Sequence, residues 1–187
     1  MAALVEWRNI PNILTIGRII LVLPIVVSIC FESFRQALLL FLIAGVSDGV
    51  DGYLARRFDW KSRFGSIADP LADKLLLVSS YLAITAVGLV DWWLALIVLG
   101  RDFVILVGAG LYHYFYGRYE ITPSLLGKSS TLCQIVYVLV VIMYAAQWPM
   151  PELAVQSGKW LVAFISLASG LAYLWVWGRK ALIARGA

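Results

Sequence analysis

The sequence is poor in charge and in the side chains that usually bind transition metals. Only 14% of its 187 residues are charged, whereas 62% are hydrophobic, far from the composition of an average soluble domain. Its two cysteines, Cys30 and Cys133, form no CxxC pair and are interpreted as buried small hydrophobes, and its one histidine, His113, lies in an aromatic run typical of a membrane interface. These absences argue against a zinc site or a Ser/His triad.

Long apolar stretches fill almost the whole chain. They run for about 18 to 25 residues, the length of α-helix that crosses a hydrocarbon core of about 30 Å. The predicted fold class is all-α: a polytopic membrane protein with six transmembrane helices and a short amphipathic surface helix at the start, forming a single domain over residues 1–187. The predicted spans cover about 10–30, 34–57, 64–87, 92–116, 124–147 and 158–177.

Basic residues are divided unevenly between the two sides of this arrangement. With the amino terminus in the cytosol, the cytosolic loops and termini carry Arg8, Arg56, Arg57, Lys61, Arg63, Arg118, Lys128, Arg179, Lys180 and Arg185. The other face carries only Arg35 and Lys159. This asymmetry fits the positive-inside rule, so the net charge of +4 needs no nucleic-acid partner. We expect a bacterial inner membrane.

Two pairs of aspartates lie inside predicted spans. Asp48 and Asp51 are three residues apart and Asp69 and Asp73 are four apart, so each pair lies on one face of its own helix. In a helical hairpin that turns near Trp60, all four lie roughly 13 to 20 Å along the helices from the turn. The sequence therefore predicts that the four carboxylates converge.

Carboxylates at membrane depth need cations, because each costs about 2.5 to 3.5 kcal/mol on insertion scales. In a purely structural core, Lys74 and Arg56 would neutralise two of the four. Four oxygen ligands without imidazole or thiolate favour instead Mg²⁺ or Mn²⁺. Two such ions, about 3.5 to 4 Å apart, can clamp a diphosphate.

Glycines surround these acids. Gly45 and Gly49 form a GxxxG pair and are interpreted as helix-packing positions. Gly52 and Gly65 are interpreted as positions where substrate approaches the backbone. Arg56, one turn beyond Gly52, would meet a phosphate, or would anchor the helix at the membrane surface.

The same residues carry a resemblance to a known family. The chain reads Asp48-Gly-Val-Asp51-Gly52-Tyr-Leu-Ala55-Arg56, then eight residues, then Gly65-Ser-Ile-Ala-Asp69-Pro-Leu-Ala-Asp73. This resembles, at every defined position, the CDP-alcohol phosphatidyltransferase signature D-x2-D-G-x2-A-R-x8-G-x3-D-x3-D. The resemblance covers nearly the whole chain, since six helices with this hairpin as the second and third are also the family architecture.

The resemblance implies an enzyme of phospholipid biosynthesis that moves the phosphatidyl group of CDP-diacylglycerol to an alcohol and releases CMP. It implies that Asp48, Asp51 and Asp69 bind two metal ions, and that Asp73 contributes to the metal site and acts as general base. It also implies a cytidine diphosphate pocket lined by Gly52, Ala55, Arg56 and Gly65. Homodimers and an active site open to the cytosol and to lipid are likewise implied.

Weaker features bear on the acceptor. The opening Ile10-Pro11-Asn12-Ile-Leu-Thr15-Ile-Gly-Arg18 resembles phosphatidylglycerophosphate synthases and CDP-using cardiolipin synthases alike. Features similar to the cardiolipin synthases are Arg101-Asp102, Pro123, Lys128, Thr131, Gln134 and Gly178-Arg179-Lys180. Gly127 and Ser130 depart from their usual Ser-Lys-x-Asn-Thr. The balance favours phosphatidylglycerol as acceptor, with glycerol 3-phosphate as the alternative.

Either acceptor carries a phosphate, which guanidinium and ammonium groups suit. The candidate ligands are Arg101, Arg118, Lys128 and Arg179. For Arg118 and Arg179, placement by the positive-inside rule is an equal alternative. Arg101 would instead pair with Asp102 if it lies too far from the site.

Two other classes of protein also use intramembrane aspartates. A divalent-cation transporter would coordinate its ion with them, and an intramembrane prenyltransferase would bind a diphosphate through Mg²⁺. The transporter does not explain the glycines, alanine and arginine at their spacing, and the prenyltransferase lacks a second DxxxD motif here. A catalytically silent scaffold is disfavoured because all four acids are present.

Overall fold

The computed structural model describes residues 10–58, 63–116 and 125–185. Across these ranges the chain forms α-helices and no β-strand, which confirms the all-α prediction. The helices are α1 (Ile10–Cys30), α2 (Phe34–Arg57), α3 (Arg63–Ala86), α4 (Trp92–Tyr116), α5 (Leu125–Ala145) and α6 (Glu152–Arg185). The predicted surface helix falls on residues 1–9, outside the described ranges.

The sixth helix is longer than predicted at both ends. The sequence predicts about 158–177, whereas α6 has 34 residues and begins at Glu152, directly after Pro151. A proline is well suited to the start of a helix, and an acidic residue in the first turn complements the helix dipole. Gly158 lies within the helix and does not begin it.

Within the part of the chain that the structure describes, four helices are long and apolar enough to cross a membrane by length and composition. The candidate spans are Asn12–Cys30, Phe34–Leu54, Leu125–Ala145 and Glu152–Val176. They correspond to α1, α2, α5 and α6. The sequence of α3 includes Asp69, Asp73 and Lys74, which lower its apolar character.

The chain divides into two compact units. The first comprises Met1–Leu89 with Val141–Met150. In it, α1 packs against both α2 and α3. Ile25 and Ile29 of α1 and Ile84 of α3 are fully buried. This packing turns one face of α1 towards the two helices that carry the aspartates.

The second unit comprises Val90–Val140 with Pro151–Ala187. In it, α4 packs against α6, and Leu94, Val98 and Val162 are almost completely buried. The grouping of residues 1–187 into a single domain stays a prediction.

Two sequence interpretations are wrong. Cys30 is exposed and Cys133 is partly exposed, so neither thiol is fully buried. Cys30 is the last residue of α1 and lies beside its buried stripe, which reaches the neighbouring Ile29. Gly45 and Gly49 are exposed, and a Cβ at either position would meet nothing within 4 Å. They do not pack a helix closely within the described part of this chain, because α2 packs through its other face.

Candidate metal and phosphate site

The aspartates of α2 continue the buried stripe of that helix. Ala37, Phe41 and Ala44 are buried, and Asp48 and Asp51 follow them at spacings of four and three residues. Residues at these spacings share one helix face. The face that packs the helix therefore becomes acidic towards its carboxyl end.

A buried arginine lies among the carboxylates. Arg18 of α1 places Nη1 2.8 Å from Asp48 Oδ1 and 2.6 Å from Asp73 Oδ1, and Nη2 2.5 Å from Asp51 Oδ2. The predicted convergence of α2 and α3 is confirmed for these three acids, which share one guanidinium. This cation comes from α1 and adds to the two proposed from sequence, Lys74 and Arg56; the side chain of Arg56 lies outside the described part of the structure.

The fourth aspartate also meets α1. Thr15 Oγ1 donates a hydrogen bond to Asp69 Oδ1 at 2.5 Å. Thr15 is fully buried and lies three residues before Arg18, on the same helix face. One face of α1 therefore contacts all four aspartates.

The site has a buried floor and an accessible rim. The side chains of Arg18 and Asp51 are 1% and 4% exposed, whereas those of Asp48 and Asp73 are each 48% exposed. A ligand can reach the rim carboxylates from outside, while the floor is shielded from water. Shielding strengthens electrostatic interactions at the floor.

The donor set suits hard divalent cations. It comprises four carboxylates and one hydroxyl, and it includes no imidazole or thiolate, which matches the oxygen ligands that Mg²⁺ and Mn²⁺ take. Among the described residues, no three His, Cys, Asp or Glu side chains are already arranged as a group that could hold a metal ion, since three of the acids contact Arg18 instead. Three of the carboxylates share one guanidinium and carry more negative charge than Arg18 neutralises, so these oxygen ligands fit divalent cations.

The predicted CDP-binding residues lie on the same two helices as the acids. Gly52 is partly buried beside Asp51, and Gly65 is buried one turn before Asp69. Ala55 and Arg56 lie in the last turns of α2; their side chains are outside the described part of the structure.

Arg101, a predicted acceptor-phosphate ligand, is bonded within the second unit. Its Nη1 lies 2.5 Å from Asp102 Oδ1, Nη2 donates to Ser169 Oγ at 3.0 Å and to the Gly127 carbonyl at 3.2 Å, and Nε donates to Ser169 at 3.3 Å. The alternative pairing with Asp102 is confirmed. These bonds favour a structural role, and a role in acceptor binding stays a prediction.

Of the other three acceptor candidates, the structure describes the side chain of one. Lys128 is exposed on α5. Arg118 lies outside the described residues, and Arg179 lies in α6 with its side chain not described. Of these three candidates, Lys128 is therefore the one that the structure shows to be accessible.

Comparisons with known proteins agree with the signature. The family model for CDP-alcohol phosphatidyltransferases matches residues 8–176. The chain belongs to the CDP-alcohol phosphatidyltransferase family. The predicted resemblance is thereby confirmed, and the chain is an enzyme of phospholipid biosynthesis.

Relatives within this family carry two kinds of name. The CDP-diacylglycerol–glycerol-3-phosphate 3-phosphatidyltransferase of Bacillus subtilis is 30% identical over 88% of this chain and 93% of its own length. The probable cardiolipin synthase (CMP-forming) of Drosophila melanogaster is 33% identical over 89% of this chain and 56% of its own length. The cardiolipin synthase (CMP-forming) of Rattus norvegicus is 38% identical over 62% of this chain and 37% of its own length.

Sequence reasoning missed the roles of Arg18 and Thr15 in this phosphatidyltransferase. Arg18 is the only charged residue in α1, and a charge inside an apolar span requires a partner of opposite sign. Asn12, Thr15 and Arg18 also repeat every three residues as a polar stripe. Together, the lone charge and the stripe are the signal that could have predicted the contact with the aspartates.

Proposed function

We propose that this enzyme transfers the phosphatidyl group of CDP-diacylglycerol to a free hydroxyl of the headgroup glycerol of phosphatidylglycerol, giving cardiolipin and CMP. The observation that carries the proposal is the acidic site, in which α1, α2 and α3 bring four carboxylates together. Three of them share the one positive charge of Arg18, and the fourth accepts a hydrogen bond from Thr15. That excess of negative charge suits divalent ions, and divalent ions suit a diphosphate substrate.

Two Mg²⁺ or Mn²⁺ ions would be held by Asp48, Asp51, Asp69 and Asp73. When bound, they would neutralise the diphosphate and stabilise the departing phosphate oxygen of CMP. Gly52 and Gly65 would let the cytidine diphosphate approach the backbones of α2 and α3, with Ala55 and Arg56 completing the pocket.

Asp73 would act as general base. Its half-exposed side chain at the rim is accessible to the acceptor hydroxyl, and a carboxylate there can take the proton as the oxygen attacks. The acceptor oxygen forms a bond to the phosphorus that bears diacylglycerol, and the bond from that phosphorus to the bridging oxygen breaks. CMP leaves with the bridging oxygen, and the proton passes to Asp73.

Glycerol 3-phosphate is the second candidate acceptor. The Bacillus subtilis relative named for that acceptor matches over 93% of its own length, whereas the cardiolipin synthases match over smaller shares of theirs. The Arg101-Asp102 pair and Lys128 support phosphatidylglycerol, because they are the features similar to cardiolipin synthases. Lys128, Arg118 and Arg179 would contact the acceptor phosphate, and Arg101 would act there only if it exchanged its present bonds.

The enzyme would work within a membrane. All six helices would cross a bacterial inner membrane, with a surface helix at the amino terminus, and the active site would face the cytosol and open to lipid. The excess of Lys and Arg in the cytosolic loops supports this orientation. A homodimer is proposed from the family resemblance.

The test is an assay of purified enzyme with labelled CDP-diacylglycerol and Mn²⁺ or Mg²⁺, supplied with phosphatidylglycerol or glycerol 3-phosphate separately. CMP release with cardiolipin formed only from phosphatidylglycerol supports the proposal. Phosphatidylglycerophosphate made from glycerol 3-phosphate supports the second candidate instead.

Two controls separate this reaction from other activities. A chelator should abolish CMP release, and Asp73→Asn should reduce it in protein that still folds. Vesicles loaded with a Mn²⁺-sensitive dye test the transporter alternative: Mn²⁺ entry without any nucleotide dependence, and without CMP release, would reject the enzymatic proposal.

A further inference from the structure

One buried arginine contacts three of the four carboxylates of the acidic site. Arg18 contacts Asp48, Asp51 and Asp73 at 2.8, 2.5 and 2.6 Å, with 1% of its side chain exposed. A guanidinium inside a helix bundle is costly unless it is paired, and neighbouring carboxylates repel unless a cation lies among them. The arginine and the acids therefore depend on each other.

The contacts of Arg18 join the two acidic helices. Its Nη1 is shared by Asp48 of α2 and Asp73 of α3, and its Nη2 contacts Asp51 of α2. The planar fork of a guanidinium can meet several carboxylates at once, which the single ammonium of lysine cannot do in the same way. The carboxylates of both helices are thus gathered by one side chain from a third helix.

We propose that Arg18 is a positioning residue, the resident counter-cation of the metal site, which keeps the carboxylates assembled in the metal-free enzyme and gives up part of its contacts when divalent ions bind. The inference rests on the part of the proposed function that makes these acids metal ligands. It adds that the metal-free state is stabilised by a cation built into α1.

Charge and geometry both point to competition between Arg18 and the ions. The carboxylate oxygens that contact the guanidinium belong to three of the four proposed metal ligands. A positive charge at hydrogen-bond distance also weakens the attraction of those carboxylates for a second cation. Arg18 therefore stabilises the metal-free fold and lowers the affinity of the site for metal.

The test compares wild-type protein with Arg18→Gln, which removes the charge and keeps a polar side chain. Thermal unfolding is followed by the fluorescence of the eight tryptophans, first with chelator and then with Mn²⁺, and Mn²⁺ binding is measured by electron paramagnetic resonance. We expect Arg18→Gln to melt at lower temperature with chelator, to gain more from Mn²⁺ than wild type, and to bind Mn²⁺ about tenfold more tightly.

Two results would overturn the inference. Equal destabilisation with and without Mn²⁺, or weaker Mn²⁺ binding, would make Arg18 a permanent structural partner of the acids. If the wild-type protein binds no Mn²⁺, the acids do not form a metal site and the inference fails. If Arg18→Gln does not accumulate, Arg18→Lys serves: it should lose stability with chelator and recover it with Mn²⁺, and failure to recover would count against the inference.

Arg101→Gln is the matched control. Arg101 is also a buried arginine with a carboxylate partner, but it faces the single acid Asp102 and the hydroxyl of Ser169. Its loss should destabilise the protein, and Mn²⁺ should not restore that stability. Phosphatidyl transfer by wild type is measured separately, so that Mn²⁺-dependent rescue of Arg18→Gln without any transfer would reject the proposed reaction and keep this inference.

Discussion

Among the described side chains, each unit of this protein contains one buried arginine, and the two arginines lie in opposite electrostatic settings. Arg18 contacts three aspartates, and a fourth accepts a hydrogen bond from Thr15. Arg101 is paired with the single carboxylate of Asp102 and completes its bonding with a hydroxyl and a carbonyl. Neutral pairing is what a structural ion pair requires, whereas an excess of carboxylates leaves charge for other cations. Both arginines are buried, so burial does not distinguish their roles. The number of carboxylates around each one does.

The largest expected difference between the surroundings of Arg18 and those of Arg101 is in catalytic activity. Asp73→Asn should lower kcat by about 10²- to 10⁴-fold, because the amide cannot accept the acceptor's proton. Asp102→Asn should leave kcat within about tenfold in protein that remains folded, since Asp102 neutralises Arg101 and is assigned no proton transfer. Steady-state CMP release measures both. Equal loss in the two variants would contradict the distinction.

Thr15 allows the acidic setting to be tested without changing any charge. Thr15→Val removes the hydroxyl that donates to Asp69, a hydrogen bond to a charged group that contributes about 1.5 to 3 kcal/mol. We expect its loss to appear mainly as a higher Mn²⁺ concentration for half-maximal activity, because Asp69 is a proposed metal ligand and would no longer be held in its orientation. Thr15→Ser, which keeps the hydroxyl, is the control and should stay close to wild type.

Glycines sharpen the same comparison through packing. A Cβ at Gly158 would lie 2.8 Å from Tyr137 Cδ2, whereas one at Gly45 would meet nothing within 4 Å. Gly158→Ala should therefore destabilise the second unit by about 1 to 3 kcal/mol through overpacking, and Gly45→Ala should be neutral or slightly stabilising, since alanine favours helix over glycine. Thermal unfolding measures both, and a destabilising Gly45→Ala would reveal a packing partner outside the single chain.

The helices were predicted well because a membrane-spanning helix requires a long run of apolar residues, which is visible in the sequence. The boundaries of α1 and α4 agree with the predicted 10–30 and 92–116, since Glu32 and Ser33 follow the first apolar run, and Gly88 and Asp91 precede the fourth. The convergence of Asp48, Asp51 and Asp73 followed from helical spacing and rise alone. Arg18 was missed because its partners lie 30 to 55 residues away in sequence, and spacing rules describe only neighbours on one hairpin.

The buried hydroxyls of the second unit provide the mildest test. Ser166 and Gln134 are fully buried, and Gln134 Nε2 donates to Ser166 Oγ at 3.1 Å, a contact between α5 and α6. Hydrogen bonds between membrane helices contribute about 0.6 kcal/mol on average and about 1.7 at most. Ser166→Ala should therefore lower the unfolding free energy by about that average and leave kcat unchanged, as measured by unfolding and CMP release on the same preparation.

Ser157→Ala, at an exposed hydroxyl bonded to its own helix, is the control and should have a smaller effect. A loss of activity in Ser166→Ala without a loss of stability would contradict this prediction and show that the contact serves the reaction.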